Sequence, residues 1–437
     1  MKIKTLFEYL EWIGISLLVA ASYMFLGGFH VIGPISLRLL VSYGLLGYTW
    51  WRGSTKYRPT KGMKMYFYYL AFFVFISILN SNAYGLKFAK NLIATHFVCC
   101  TAIFAFPRFF KTEASIRGAY IVLAMGFLLN AFVTYLQFQN SALGWAIGMY
   151  INPTNIGEVE EMQMGLAQAE VFEKSFLMGI MGGSVANGYF VAMMLPVMTC
   201  FIWDKIGIKT IWTIFMFVIA GICIYMIQQR MALVVATLYV ISILALKVKR
   251  PSFMSFAIIA ILVFTLLYSI YQSMDISDVG RLGAVKEDET RMNTLYVLDN
   301  FLSNPRQILL GYISVKADVD EFVFHTMGHN TFLDALRRGG IFLMFVFIVL
   351  YICLCKSLIK IVHFSRRVKD FRSLGMALGC ISYLIYSLTH STGVQSGSIM
   401  FWTLFMLTIQ SHRVTCETLE AKKTYNNINK FDRSAKK

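Results

Sequence analysis

Long apolar runs separated by short polar connections set the pattern of this chain. Many of the runs approach the roughly 20 residues that carry a helix across a bilayer at 1.5 Å rise each. The predicted spans are 8–28, 32–51, 63–80, 88–107, 116–136, 177–202, 208–228, 230–247, 253–273, 340–361, 373–391 and 397–411. Two connections are long, 137–176 and 274–339, and loops of that length inside a compact protein are usually functional. In the second, Met292, Leu295, Tyr296, Leu298 and Phe301 recur at near-helical spacing and predict a helix over 287–304. The stretch 330–338 predicts another helix that runs on into the span at 340–361. The expected fold is all-α and polytopic, with about twelve transmembrane helices and a long loop between the ninth and tenth.

Composition sharpens this reading. Hydrophobic residues make up 57% and charged residues 14%, against roughly 25% charged in soluble domains. The net charge of +17 would suit nucleic acid were it not distributed in clusters. Arg52, Lys56, Arg58, Lys61 and Lys64 form the first, and Arg108, Lys111 and Arg117 the second. Lys247, Lys249 and Arg250 follow, then Lys356, Lys360, Arg366, Arg367, Lys369 and Arg372, then a basic tail from Arg413. They occupy every second connection, the bias that keeps Lys/Arg loops in the cytoplasm. The basic excess is therefore assigned to topology and anionic lipid, not to nucleic acid. Both chain ends are expected inside, and both long loops outside. Most of the eight cysteines lie in apolar runs and none in the long outer loops, which argues against a disulfide framework or a metal-ligand set. Lys2 and Lys4 precede an apolar run without a small-residue cleavage site, so that run is expected to remain as a helix.

Few residues carry chemistry. His329 stands just before the helix expected at 330–338, and an imidazole there can take a proton from a hydroxyl or hydrogen-bond a departing phosphate. A loop histidine beside a capping Asn330 is the plainer reading, and His325 is a competitor without that context. Arg230 sits between two apolar runs, and Arg291 heads the helix expected at 287–304. Either guanidinium can grip two phosphate oxygens, or simply snorkel or be solvated. Arg38, near the start of the second span, is expected to snorkel. Around Asn187, the segment from Gly182 to Pro196 opens a membrane helix with small residues, which serves close backbone approach or helix contact.

The order of these elements resembles the O-antigen ligase and polymerase superfamily of bacterial envelope glycosyltransferases. The likeness is carried by Gly183, Ser184, Asn187, Gly188, Tyr189, Leu195 and Pro196, by the Arg230 junction, and by Arg291 followed by Asn304, Pro305, Leu310 and Gly311. Last come His329, Asn330, Leu333, Leu336, Gly339 and Gly340, the most specific set. It covers roughly 180–350. Gln229 departs from the small hydroxyl residue the family often has, and Tyr296 from its tryptophan. The resemblance implies a metal-independent, inverting transfer of a glycan from undecaprenyl diphosphate to an acceptor hydroxyl at the periplasmic face of the inner membrane, with no cofactor. It implies His329 as the catalytic residue, Arg230 and Arg291 as the diphosphate clamp, and Asn187, Arg281, Asn330 and Arg338 as accessory candidates. The acceptor is lipid A–core in a ligase and another lipid-linked glycan in a polymerase. A transporter of lipid-linked sugar is the distant alternative, disfavoured because no related halves appear. Three parts are expected: helices and first loop over 1–176, a ligase-like core over 177–411, and a basic cytoplasmic tail over 412–437.

Overall fold

The computed structural model describes residues 3–32, 35–51, 59–79, 83–152, 177–200, 208–227, 229–247, 305–311, 330–389 and 393–434. The chain begins with helix α1 (Ile3–Met24), a short antiparallel ribbon of β1 (His30–Ile32) and β2 (Ile35–Ser36), and α2 (Leu37–Trp51). Helices α3 (Lys61–Leu79), α4 (Ala83–Phe109), α5 (Glu113–Phe138) and α6 (Ala142–Ile151) follow. The second half holds α7 (Ser184–Met198), α8 (Ile208–Ile227), α9 (Arg230–Lys247) and the short α10 (Pro305–Leu310). It continues with α11 (Thr331–Val368), α12 (Phe371–Ser387), a 3₁₀ turn (Val394–Ser396) and α13 (Ile399–Ser434).

Every predicted span except 253–273, which lies outside the described residues, contains or overlaps a helix. Among the described residues, three helical stretches are long and apolar enough to cross a membrane: α5, Thr210–Ile227 within α8, and α11. Their surfaces explain why. On α5 the residues Ile121, Met125, Leu129, Phe132 and Tyr135 fall three or four apart and are all exposed. Ile211, Ile214, Val218, Ile222 and Tyr225 draw the same stripe on α8. A water-soluble surface rarely presents contiguous apolar strips of this kind. The opposite face of α5 buries Asn130, Thr134 and Gln137 beside Phe127 and Val133. Polar groups thus sit inside and apolar ones outside, which suits a hydrocarbon surround.

Helix α7 occupies the middle, with every residue from Tyr189 to Met198 buried. It packs against α8, α9 and α12; α12 also contacts α11 and α13, α11 lies on α3, and α1 lies on α5. Small residues permit the close approaches, as where Gly379 lies against Met193 and Val197.

Four boundaries differ from expectation. The run 32–51 is helical only from Leu37, because Ile35–Ser36 pairs with His30–Ile32 as a ribbon. The run 177–202 becomes helical only at Ser184, because its first residues fold into turns pinned by side chains of α5 and α7. Asn130 Oδ1 accepts from the Ile180 N–H at 3.0 Å, and Gln137 Oε1 from the Gly179 N–H at 2.9 Å. The connection 137–176 begins with α6, whose ten residues are too few to span and so left no signal. The tail after 411 continues the last helix as far as Ser434.

Candidate functional site

The stretch 330–338 forms the helix its pattern predicts, and Asn330 is the cap. Its Oδ1 accepts from the N–H groups of Phe332 at 2.8 Å and Leu333 at 3.2 Å, satisfying two donors that the first turn leaves open. Its Nδ2 donates to the Leu388 carbonyl at 2.8 Å, which ties the cap to the end of α12. The helix then breaks at Gly339 and Gly340 before resuming as the long arm of α11. Gly340 has φ 71° and ψ −170°, a conformation that side-chain-bearing residues avoid.

The break is where α10 docks. A Cβ on Gly340 would strike the Leu309 carbonyl, and one on Gly311 would strike Arg337 O and Gly339 N. Two segments that carried the resemblance, 305–311 and the glycine pair, therefore fit backbone to backbone.

One turn inside the cap, Asp334 is fully buried. Its Oδ1 accepts from Arg337 Nη2 and its Oδ2 from Arg338 Nε, the latter at 2.6 Å. The Oδ2 also accepts from Gln395 Nε2 at 3.1 Å. Thr331 donates to Gln395 Oε1, and the Tyr69 hydroxyl donates to the Gln395 carbonyl at 2.9 Å. The spacing of Asp334 to Arg337 and Arg338 places all three on one helix face. Both arginines are 6% exposed. Such a buried group is costly to assemble and costlier to break, since removing one member of a buried pair destabilises by about 3–5 kcal/mol.

A second set meets α12 at Tyr386. Gly188 of α7 rests against the Tyr386 hydroxyl of α12 and the side chain of Gln229, the residue before Arg230. Arg230 opens α9 immediately after α8 ends, a reversal with almost no connecting chain. The final turns of α12, with Tyr383, Tyr386 and Leu388, thus join the starts of α7, α9 and α11. Helix starts carry partial positive charge, so three of them and the arginines collect at one end of the bundle.

Asn187 does not point into open space. Its Oδ1 accepts from Asn130 Nδ2 at 2.7 Å, and its Nδ2 donates to Thr134 Oγ1 at 3.1 Å and to Leu177 O at 2.9 Å. Its place is that of a brace for the turns before α7. Of the other predicted site residues, Asn330 caps the helix that carries Arg338, and Arg230 opens the helix after Gln229, which packs on Gly188. His329, Arg291 and Arg281 lie outside the described residues, as do His325 and the helix expected at 287–304.

Arg38 departs from expectation. It turns inward, where its Nε donates to the Ser22 carbonyl at 3.1 Å and its guanidinium rests on the Gly27 backbone. Here the Ser22 carbonyl of α1 supplies an acceptor and Gly27, in the bend after α1, leaves the room. Asp334, Arg337 and Gln395 were not among the residues picked out from the sequence. The i, i+3 and i, i+4 spacing of Asp334 and the arginines was a usable signal; Gln395 offered none. No protein-family model matches the chain, and no curated protein matches it.

Proposed function

We propose that the chain is a membrane glycosyltransferase of the O-antigen ligase type. It moves a glycan from undecaprenyl diphosphate to a lipid A–core hydroxyl at the periplasmic face of the bacterial inner membrane. The observation that carries this reading is the gathering of the Arg230 junction, the Asn330 cap and the Arg338 helix around the end of α12.

In the reaction the acceptor oxygen attacks the anomeric carbon while the carbon–oxygen bond to the diphosphate breaks. The acceptor proton passes to a base, and the diphosphate leaves with the bonding electrons. One displacement inverts the anomeric centre. The donor brings its own leaving group, so the scheme calls on no nucleotide. What it demands is positive charge where the diphosphate gains negative charge, and such electrostatic stabilisation is usually the largest catalytic term. Arg230 and Arg291 are assigned to that clamp, with Arg338 and the nearby helix starts adding to the field. His329, one residue before the Asn330 cap, takes the acceptor proton or hydrogen-bonds the leaving phosphate.

The test is glycan transfer in proteoliposomes holding undecaprenyl-diphosphate glycan and lipid A–core, with no nucleotide, divalent metal or ion gradient. Arg230→Gln and Arg291→Gln are expected to lower turnover by about 10²–10³-fold. Lysine should restore little at either position, since an ammonium lacks the planar fork. Near-normal transfer by Arg230→Lys and Arg291→Lys would refute the clamp. Wild-type protein that moves lipid-linked glycan between leaflets and forms no glycosidic bond would refute the enzyme. Product formed only with a second lipid-linked glycan as acceptor would make the chain a polymerase.

A further inference from the structure

Helix α6 (Ala142–Ile151) lies in a connection expected in water, yet none of its residues is charged. Two glycines a turn apart let it sit tightly on the bundle. A Cβ on Gly144 would strike Leu136, and one on Gly148 would strike the Gln137 side chain and the Gly179 carbonyl. Leu136 continues the exposed stripe of α5 at helical spacing from Leu129 and Phe132, so α6 docks at the edge of the face that α5 turns outward. On the far side of α6, Leu143 is 59% and Tyr150 71% exposed, with Ala146 exposed between them.

The direction of α6 is set by the reversal before it. Asn140 takes the left-handed conformation at φ 53°, and the Ser141 N–H donates to the Leu136 carbonyl at 2.9 Å, which turns the chain back on α5. From Gly144 beside Leu136 the helix runs to Asn152, whose Nδ2 donates to the Ile180 carbonyl at 2.6 Å. The Ile180 N–H in turn donates to Asn130, two turns before Gln137 on α5. At 1.5 Å per residue that lies roughly 10 Å back toward the middle of the bundle. A helix of this length covers about 15 Å, half of a hydrocarbon core.

A chain that bends back inside hydrocarbon must satisfy its irregular backbone from the protein, since no water is at hand. Both ends of α6 meet that demand. Asn152 Oδ1 accepts from the Gly28 N–H at 3.0 Å, and its Nδ2 also donates to the Phe25 carbonyl at 3.3 Å. The buried Gln137 donates to the Gly144 carbonyl at 3.2 Å and the Gly179 carbonyl at 3.3 Å. We infer that α6 is a re-entrant helix. It dips into the leaflet at the Phe138 end of α5 without crossing the bilayer, and lipid acyl chains cover Leu143, Ala146 and Tyr150. This placement holds whichever side of the membrane that leaflet faces and whatever the chain catalyses.

The experiment is spin labelling of the full-length protein reconstituted in lipid bilayers. In turn, p-acetylphenylalanine replaces Leu143, Tyr150, Leu129 or Lys111 and carries a nitroxide, which leaves the native cysteines untouched. Collisions with oxygen, which concentrates in hydrocarbon, are compared with collisions with a water-soluble nickel chelate. The oxygen-to-nickel ratio at Leu143 and Tyr150 should match that at Leu129 on α5. It should exceed the ratio at Lys111, in the polar connection before α5, by at least about tenfold, because a polar chelate is excluded from hydrocarbon. Nickel collisions at Leu143 and Tyr150 as frequent as at Lys111 would overturn the placement. Should a labelled variant fail to fold, hydroxyl-radical footprinting of the unmodified protein in the same bilayers decides the matter. Tyr150 should then escape oxidation despite its exposure, and oxidation at the rate of free tyrosine would overturn the placement equally.

Discussion

The two ends of the helix bundle treat charge differently. At one end Asp334 is wholly buried and shared by Arg337 and Arg338, whose side chains are only 7% exposed. At the other, Glu113 at the start of α5 meets Arg372 of α12 with side chains 43% and 28% exposed, and Arg117 lies near the same carboxylate at 3.7 Å. Asp370 on that side does routine work, capping α12 at the Ser373 N–H and accepting from Thr415 Oγ1 at 2.7 Å. Half-exposed ion pairs are worth about 0–1 kcal/mol and are easily replaced. Buried ones are held at a cost and fail badly when broken. The contrast marks the Asp334 end as the one where position matters, and the Glu113 end as scaffold.

Variants can break or sharpen that contrast. The largest effect is expected from Asp334→Ala, which leaves two buried guanidiniums without their shared carboxylate and should cost about 3–5 kcal/mol. Thermal unfolding in detergent would read this as a large fall in the melting midpoint or as loss of folded protein. Next is Gly340→Ala, which forces a side chain into a glycine-only conformation at about 1–3 kcal/mol. It also drives a methyl against the Leu309 carbonyl, so α10 should loosen and protease cleavage near 305–311 should quicken. Unchanged cleavage there would show that α10 does not depend on the break. The smallest effect belongs to Glu113→Gln, expected to shift stability by about 1 kcal/mol or less. A melting midpoint that falls as far for Glu113→Gln as for Asp334→Ala would erase the difference between the ends.

Much of this was legible beforehand, and the failures have physical causes. The helices follow from long apolar runs, which local pattern alone specifies. The cap at Asn330 was readable because an asparagine before an apolar-periodic stretch satisfies open donors. The glycine pair at 339–340 was visible as composition, but its break depends on α10 arriving from elsewhere in the chain. Arg38 shows the same limit: its position near a helix end was plain, and its direction was set by Ser22 on another helix and by Gly27 in the bend that follows it. Helix α6 was hidden because a run of ten apolar residues is shorter than a span. Residues 177–183 were read as helix on hydrophobicity, whereas hydrogen bonds from Asn130, Gln137 and Asn187 hold them as turns.

The most direct test of the account compares glycan transfer by wild type, His329→Ala and Arg372→Gln, each reconstituted in proteoliposomes at equal folded yield. Undecaprenyl-diphosphate glycan and lipid A–core are supplied, and the product is the new glycosidic bond. The account predicts no product above background from His329→Ala, and transfer within about twofold of wild type from Arg372→Gln, whose ion pair is half-exposed. Transfer by His329→Ala at the wild-type rate would contradict it.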